Sequence, residues 1–189
     1  MPDIIKGTNR SAEDDLKQSA AFFFEPTDRR KAAKPLKFKQ NVCYSSPNLI
    51  ELRAMADFLS PNVFIEKSND LNEVLKLAKI VSNAVDFIIV TLGDKGVITI
   101  NNSKRDGSVV ARLYPVESIG NVENVSGAGD CFTSGFISGM LSYYKESNNV
   151  HIGFQSAKYA LLCKNTVPFD LSTDTISINE AEYVTLKID

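Results

Sequence analysis

Short apolar runs closed by turn residues alternate along this chain with longer stretches whose apolar positions recur every three or four residues. The first run, Ala21-Phe22-Phe23-Phe24, stops at Glu25-Pro26 and predicts a buried strand that ends in a loop. Thr27 or Asp28 then stands where a short helix through Ala33 would need its cap. Asn41-Val42-Cys43-Tyr44 predicts a second strand, ended by Ser45-Ser46-Pro47. Helical spacing follows twice. It runs from about Asn48 to Leu59, with Leu49, Leu52, Met55, Ala56 and Leu59 on one face, and from Leu71 to Val81, where Val74, Leu75, Leu77 and Ala78 recur.

The strongest strand signal is Phe87-Ile88-Ile89-Val90-Thr91, whose continuous apolar character suits a sheet covered on both faces. Gly93-Asp94-Lys95-Gly96 reads as a turn, Val97 to Ile100 as a returning strand, 101–107 as a polar loop and Val109 to Tyr114 as a further strand. A helix is expected from about Ala128 to Lys145 and a last one from Ile152 to Cys163, while the tail from Asn165 carries mixed signals. Strands alternating with helices predict an α/β fold with a mostly parallel sheet flanked by helices. In such sheets ligands sit beyond the carboxyl ends of the strands.

Composition narrows the chemistry. At 189 residues the chain suits one domain. A net charge of −2 gives no global basic field, so nucleic acid is not an expected partner. The local cluster Arg29, Arg30, Lys31, Lys34, Lys37, Lys39 reads as a solvated face. Cys43, Cys131 and Cys163 are odd in number and lack CxxC spacing, which points to a reducing compartment. His151 is the only histidine, so His-based triads and His-rich metal sites have little support. No run reaches the length of a membrane helix, and the N-terminus lacks a signal-peptide core, so the expected location is the cytoplasm.

The most telling segment is Asn124-Val125-Ser126-Gly127-Ala128-Gly129-Asp130, followed at once by the apolar stretch Cys131 to Leu141. Small residues give way to a helix with Asp130 at the hinge. Free N–H groups at a helix start hold an anion, and a carboxylate in the first turn can take a proton from an attacking hydroxyl. An anion cradle beside a base is the minimal equipment for phosphoryl transfer. The plainer alternative is a Gly-rich loop before a core helix, with Asp130 favoured there by the helix dipole. Asn48 and Glu51 are likewise open to two readings, since they match a capping box. Gly93 and Gly96 are equally suited to an ordinary hairpin. There is no GxxxxGK[ST] sequence, which excludes a Walker-type loop.

The order of these segments is more specific than any one of them. SPNLIEL (46–52), VTLGDKGV (90–97) and VSGAGDCFTSGF (125–136) resemble the PfkB (ribokinase-like) family of carbohydrate and nucleoside kinases over about residues 20–170. The stretch Phe24-Glu25-Pro26-Thr27-Asp28 with Lys31-Ala32, then Ser46-Pro47-Asn48-Leu49, is most similar to eukaryotic pseudouridine kinases. The resemblance implies a ribokinase-like fold, ATP and Mg²⁺ as cofactors, and a small-molecule sugar or nucleoside acceptor, with the 5′-hydroxyl of pseudouridine as the expected target. It makes Asp130 the catalytic base and Gly127, Ala128 and Gly129 the anion hole. Thr91, Gly93, Gly96 and Glu25 become nucleotide-binding residues, and Asn48 and Glu51 metal-handling ones. A homodimer is an assembly it allows.

Two departures from the family pattern stand out. Its common Asp-Thr pair is here Asn124-Val125. Residues 1–20 form a poorly defined segment with nothing resembling the family's first strands, lid or sugar-gripping positions. On this reading, residues 21–189 correspond to the C-terminal, nucleotide-binding part of a PfkB kinase domain. The alternative expectation is a catalytically silent, truncated nucleotide-binding or partner-binding module derived from such a kinase.

Overall fold

A computed structural model describes residues 22–38, 42–103, 108–168, 172 and 175–188. The 1–20 segment, Ala21 and Asn41 of the predicted strands, and most of the predicted polar loop lie outside the described residues. The chain builds β1 (Phe23–Phe24), β2 (Val42–Ser45), α1 (Leu49–Leu59), α2 (Leu71–Val81), β3 (Val85–Thr91), β4 (Val97–Asn102), β5 (Val109–Tyr114), α3 (Ala128–Leu141), α4 (Glu146–Leu161) and β6 (Val184–Leu186).

The strands form one sheet in sequence order. β1, β2 and β3 pair in parallel, with Phe24 opposite Ser45 and Ser45 opposite Ile88. β4, β5 and β6 then pair antiparallel, each with the strand before it. β5 therefore runs with β1, β2 and β3, and most of the sheet shares one direction while β4 and β6 run against it.

Strand alternation divides the core into two layers. Ile88, Val90, Ile98, Ile100 and Ala111 meet Leu52, Met55, Val74, Leu77 and Val81 of α1 and α2. Ile89, Val97 and Tyr114 meet Phe132 and Phe136 of α3 and Val150 of α4. Each fully buried aliphatic side chain contributes roughly 1.5–3 kcal/mol relative to exposure. Among the described residues no helix is long and apolar enough to cross a membrane.

Three expectations need correction. The short helix through Ala33 is replaced by turns, followed by a single 3₁₀ segment at Pro35–Phe38. Asp28 does anchor this turn, but through a carboxylate that accepts from its near neighbour Arg30. The helix expected over 128–145 stops at Leu141, where Tyr143 turns the chain with a left-handed φ of 59°. The next helix starts at Glu146 and not at Ile152. Its polar first turns fold because the Glu146 carboxylate accepts from Thr99 Oγ1 at 2.6 Å, Tyr114 Oη at 2.8 Å and Arg112 Nη1 at 2.5 Å. Those partners come from the sheet, so a periodicity confined to the helix could not reveal them. Arg29, Arg30, Lys31, Lys34 and Lys37 of the basic cluster are exposed, as a solvated face requires, and Lys39 lies outside the described residues.

Candidate active site

Parallel pairing places the ends of β1, β2 and β3 on one edge of the sheet. Glu25 follows β1, Asn48 follows β2, and Thr91 closes β3. The Thr91 N–H donates to the Pro47 carbonyl at 3.1 Å, which ties the last two ends together. The start of α3 faces them. The result is a cleft of about 230 Å³ lined by Glu25, Pro26, Thr27, Ser46, Asn48, Glu51, Thr91, Gly127, Gly129 and Asp130.

The local chemistry of α3 explains its free N-terminus. Gly127 is the N-cap, with a left-handed φ of 80° and no side chain to cap the helix. A Cβ there would also collide with the Thr166 carbonyl oxygen and methyl group. The first helical bond is Cys131 N–H to Gly127 O at 2.9 Å, so helix geometry leaves the amides of Ala128, Gly129 and Asp130 without helical acceptors. A Cβ on Gly129 would meet only open space, so nothing within the fold requires glycine there. Asp130 is exposed in this first turn.

Asn48 and Glu51 form a complete capping box. Asn48 Oδ1 accepts the Glu51 N–H, and Glu51 Oε2 accepts the Asn48 N–H. The plain structural reading of this pair is thus realised, yet both side chains also line the cleft. Burial pushes the Glu51 carboxyl above its ordinary range, with the charges of Asp28 and Asp130 adding to the rise. Burial likewise pushes Glu25 up to about 8, although a hydrogen bond from Thr133 acts against it. The cleft lining holds Glu25, Glu51 and Asp130 and no basic side chain.

Beside this cleft lies an apolar cavity of about 420 Å³, joined to it through Thr91 and Gly129. Gly93, Gly96 and Ala128 line this second space. Gly96 has a sufficient internal reason to be glycine: φ is 91° and a Cβ would collide with the Tyr114 carbonyl oxygen. Gly93, with φ 63°, faces open space.

The structure therefore places Glu25, Asn48, Glu51, Thr91, Gly93, Gly96, Gly127, Ala128, Gly129 and Asp130 around two adjoining cavities. Sequence reasoning missed the walls of the larger one: Phe132 of α3, Phe154 and Leu161 of α4, and Ile119, Val122 and Val125 of the connecting segment. Apolar residues recur there at every third position, a spacing that matches neither the strand period of two nor the helical 3.6, and Pro115 and Gly120 punctuate it, so the segment gave no strand or helix signal. It also missed Thr133, whose one available clue was its place one helical turn beyond Asp130.

The chain has clear counterparts. The model of the pfkB family of carbohydrate kinases matches residues 19–173. The chain belongs to this family. The pseudouridine kinase of Arabidopsis thaliana is 27% identical over 212 aligned positions, which cover 88% of this chain and 56% of that protein. A Clostridium perfringens protein described as a sugar kinase superposes with a TM-score of 0.69 at 18% identity, over 93% of this chain and 52% of its own. Arabidopsis thaliana ribokinase, solved with ribose and ATP, superposes with a TM-score of 0.57 at 16% identity, over 77% of this chain and 42% of its own. The fold is ribokinase-like, and the chain spans about half the length of the relatives it matches.

Proposed function

We propose that the cleft carries out ATP- and Mg²⁺-dependent phosphorylation of a hydroxyl on a sugar or nucleoside, with the 5′-hydroxyl of pseudouridine as the leading acceptor. The observation that carries this reading is the convergence of Glu25, Glu51, Asp130 and the free amides of α3 on one cleft that opens into an apolar cavity. The cavity suits a nucleotide base, and the helix start suits its phosphates. The likeness to the Arabidopsis pseudouridine kinase favours that acceptor.

In this reading Asp130 accepts the proton of the acceptor hydroxyl as its oxygen bonds to the terminal phosphorus and the bond to the leaving diphosphate breaks. The amides at Gly127, Ala128 and Gly129 face the charge on the transferring group. Thr91, Gly93 and Gly96 border the nucleotide.

The residues present fit a magnesium ion. Asn48 and Glu51 offer hard oxygen donors, and no basic side chain lines the cleft to balance its carboxylates or the incoming phosphates. Among the described residues no group of His, Cys, Asp and Glu could hold a metal by itself. That suits an ion which retains waters and phosphate oxygens. Asn48 and Glu51 would face it, and bound Mg²⁺ would supply charge neutralisation.

The deciding experiment is ATP-dependent phosphorylation of pseudouridine by the purified chain beside its Asp130→Asn variant, with ribose and adenosine as comparison acceptors. Turnover on pseudouridine that vanishes in the variant supports the reading. Nucleotide binding without turnover on any acceptor replaces it with a silent nucleotide-binding module.

A further inference from the structure

At the cleft floor, Ser46 and Thr133, to which the proposed chemistry gives no task, form a polar relay to Glu25 from separate elements. Ser46 Oγ lies 3.0 Å from Thr133 Oγ1, and the Thr133 hydroxyl donates to Glu25 Oε2 at 3.2 Å. Because Thr133 commits its one hydroxyl proton to Glu25, Ser46 is the donor to Thr133. Ser46 is 2% exposed and Thr133 5%, so water has little access to replace either partner. The relay joins the ends of β1 and β2 to one face of α3, a single turn beyond Asp130.

A helix does not need a hydroxyl at this place. Threonine is a poorer helix former than alanine, and burying a hydroxyl is costly unless it is hydrogen-bonded. Valine would fill the same volume without that demand. The hydroxyl at 133 is explained by what it holds, and it holds a carboxyl group that shares its cleft with Glu51 and Asp130. Repulsion from those neighbours would turn an untethered Glu25 away from them.

We propose that Thr133, backed by Ser46, is a positioning residue that fixes the Glu25 carboxyl at the cleft floor and thereby sets how tightly the cleft takes a magnesium–nucleotide complex. The positioning stands on the relay itself, and its consequence for nucleotide rests on the kinase reading.

The test compares the full 189-residue chain with its Thr133→Val, Thr133→Ser and Ser46→Ala variants. The first readout needs no ligand. It is the ¹³C carboxyl resonance of Glu25, assigned by its loss in Glu25→Gln. That resonance is expected to move in Thr133→Val, return in Thr133→Ser, and move less in Ser46→Ala. An unmoved resonance in Thr133→Val overturns the positioning. Should the valine variant fail to fold, an unmoved resonance in Ser46→Ala does so instead. The second readout is calorimetric titration with Mg·ATP. Thr133→Val is expected to bind about tenfold more weakly, the scale of one hydrogen bond to a charged group, with Thr133→Ser close to the parent. Equal affinity in Thr133→Val overturns the nucleotide half. A parent chain that binds no Mg·ATP overturns the kinase reading and that half with it, while the resonance still decides the positioning.

Discussion

Asn48 and Glu51 close on one another, Asn48 Oδ1 accepting the Glu51 N–H at 3.0 Å and Glu51 Oε2 accepting the Asn48 N–H at 2.9 Å. One residue pair thus starts α1 and forms part of the cleft wall. Substitution separates the two tasks. Asn48→Ala removes the cap and is expected to cost about 1 kcal/mol, read from denaturant unfolding. Glu51→Gln keeps an acceptor for the Asn48 N–H but removes the charge. Its thermal midpoint should equal or exceed that of the parent, because a carboxylate that burial disfavours is gone. Its affinity for Mg·ATP should fall about tenfold, the scale of a lost charged interaction. Unchanged affinity in Glu51→Gln would leave this pair a cap and nothing more.

Asp130 is exposed at the helix start, so its side chain supports no packing. Asp130→Asn is expected to leave the thermal midpoint close to that of the parent and to preserve ATP affinity. Turnover should fall by roughly 10²–10⁴, the usual contribution of a general base. A variant that keeps most of its kcat would remove Asp130 from that role.

The sequence made the sheet and the cleft legible for different reasons. Phe87 to Thr91 announced a strand by composition alone, and the junctions at Glu25, Asn48, Thr91 and Gly127 stood out because turn residues interrupt apolar runs there. Once β1, β2 and β3 pair in parallel, the first three junctions must share an edge, and Gly127 is brought to them across the cleft. Glu146 was illegible as a helix start because its partners Thr99, Arg112 and Tyr114 are distant in sequence. β6 was equally hidden. It exists through pairing with β5, beside the contact of Tyr183 with Tyr114 at 5.2 Å between ring centroids. Thr133 looked like any residue in an apolar helix until Glu25 and Ser46 were brought to it.

Gly127 and Gly129 separate structural need from functional need. Gly127→Ala forces a left-handed backbone on alanine and drives its methyl into Thr166. A loss of at least 1–2 kcal/mol is expected from the backbone alone, about the cost of that conformation. Gly129→Ala meets open space in a helical position, where alanine is worth roughly up to 1 kcal/mol over glycine. That variant should be as stable as the parent or more so, yet bind ATP more weakly, because its methyl enters the space both cavities share. Paired thermal melts and nucleotide titrations check this. A Gly129→Ala chain with full ATP affinity would show that nothing approaches the backbone there.

Glu25 gives the cleft a signature in stability against pH. Burial raises its carboxyl to about 8 in the folded chain, whereas the ordinary value is 4.5. Between those values the folded chain holds a proton that the unfolded chain has released, so stability falls as pH rises. The contribution is fully present below about pH 4.5 and is lost by about pH 8, where both states are ionised. Asp70, Glu73 and Glu180 are shifted downward, so their losses fall on the acid side of this window. Urea midpoints at about pH 5.5 and 8.5 should therefore drop in the parent and drop much less in Glu25→Gln. The residual slope in the variant combines Glu51, shifted in the same sense, with His151, which burial shifts downward and which therefore adds stability as pH rises. Identical slopes in the two chains would place the Glu25 carboxyl in water and not at the cleft floor.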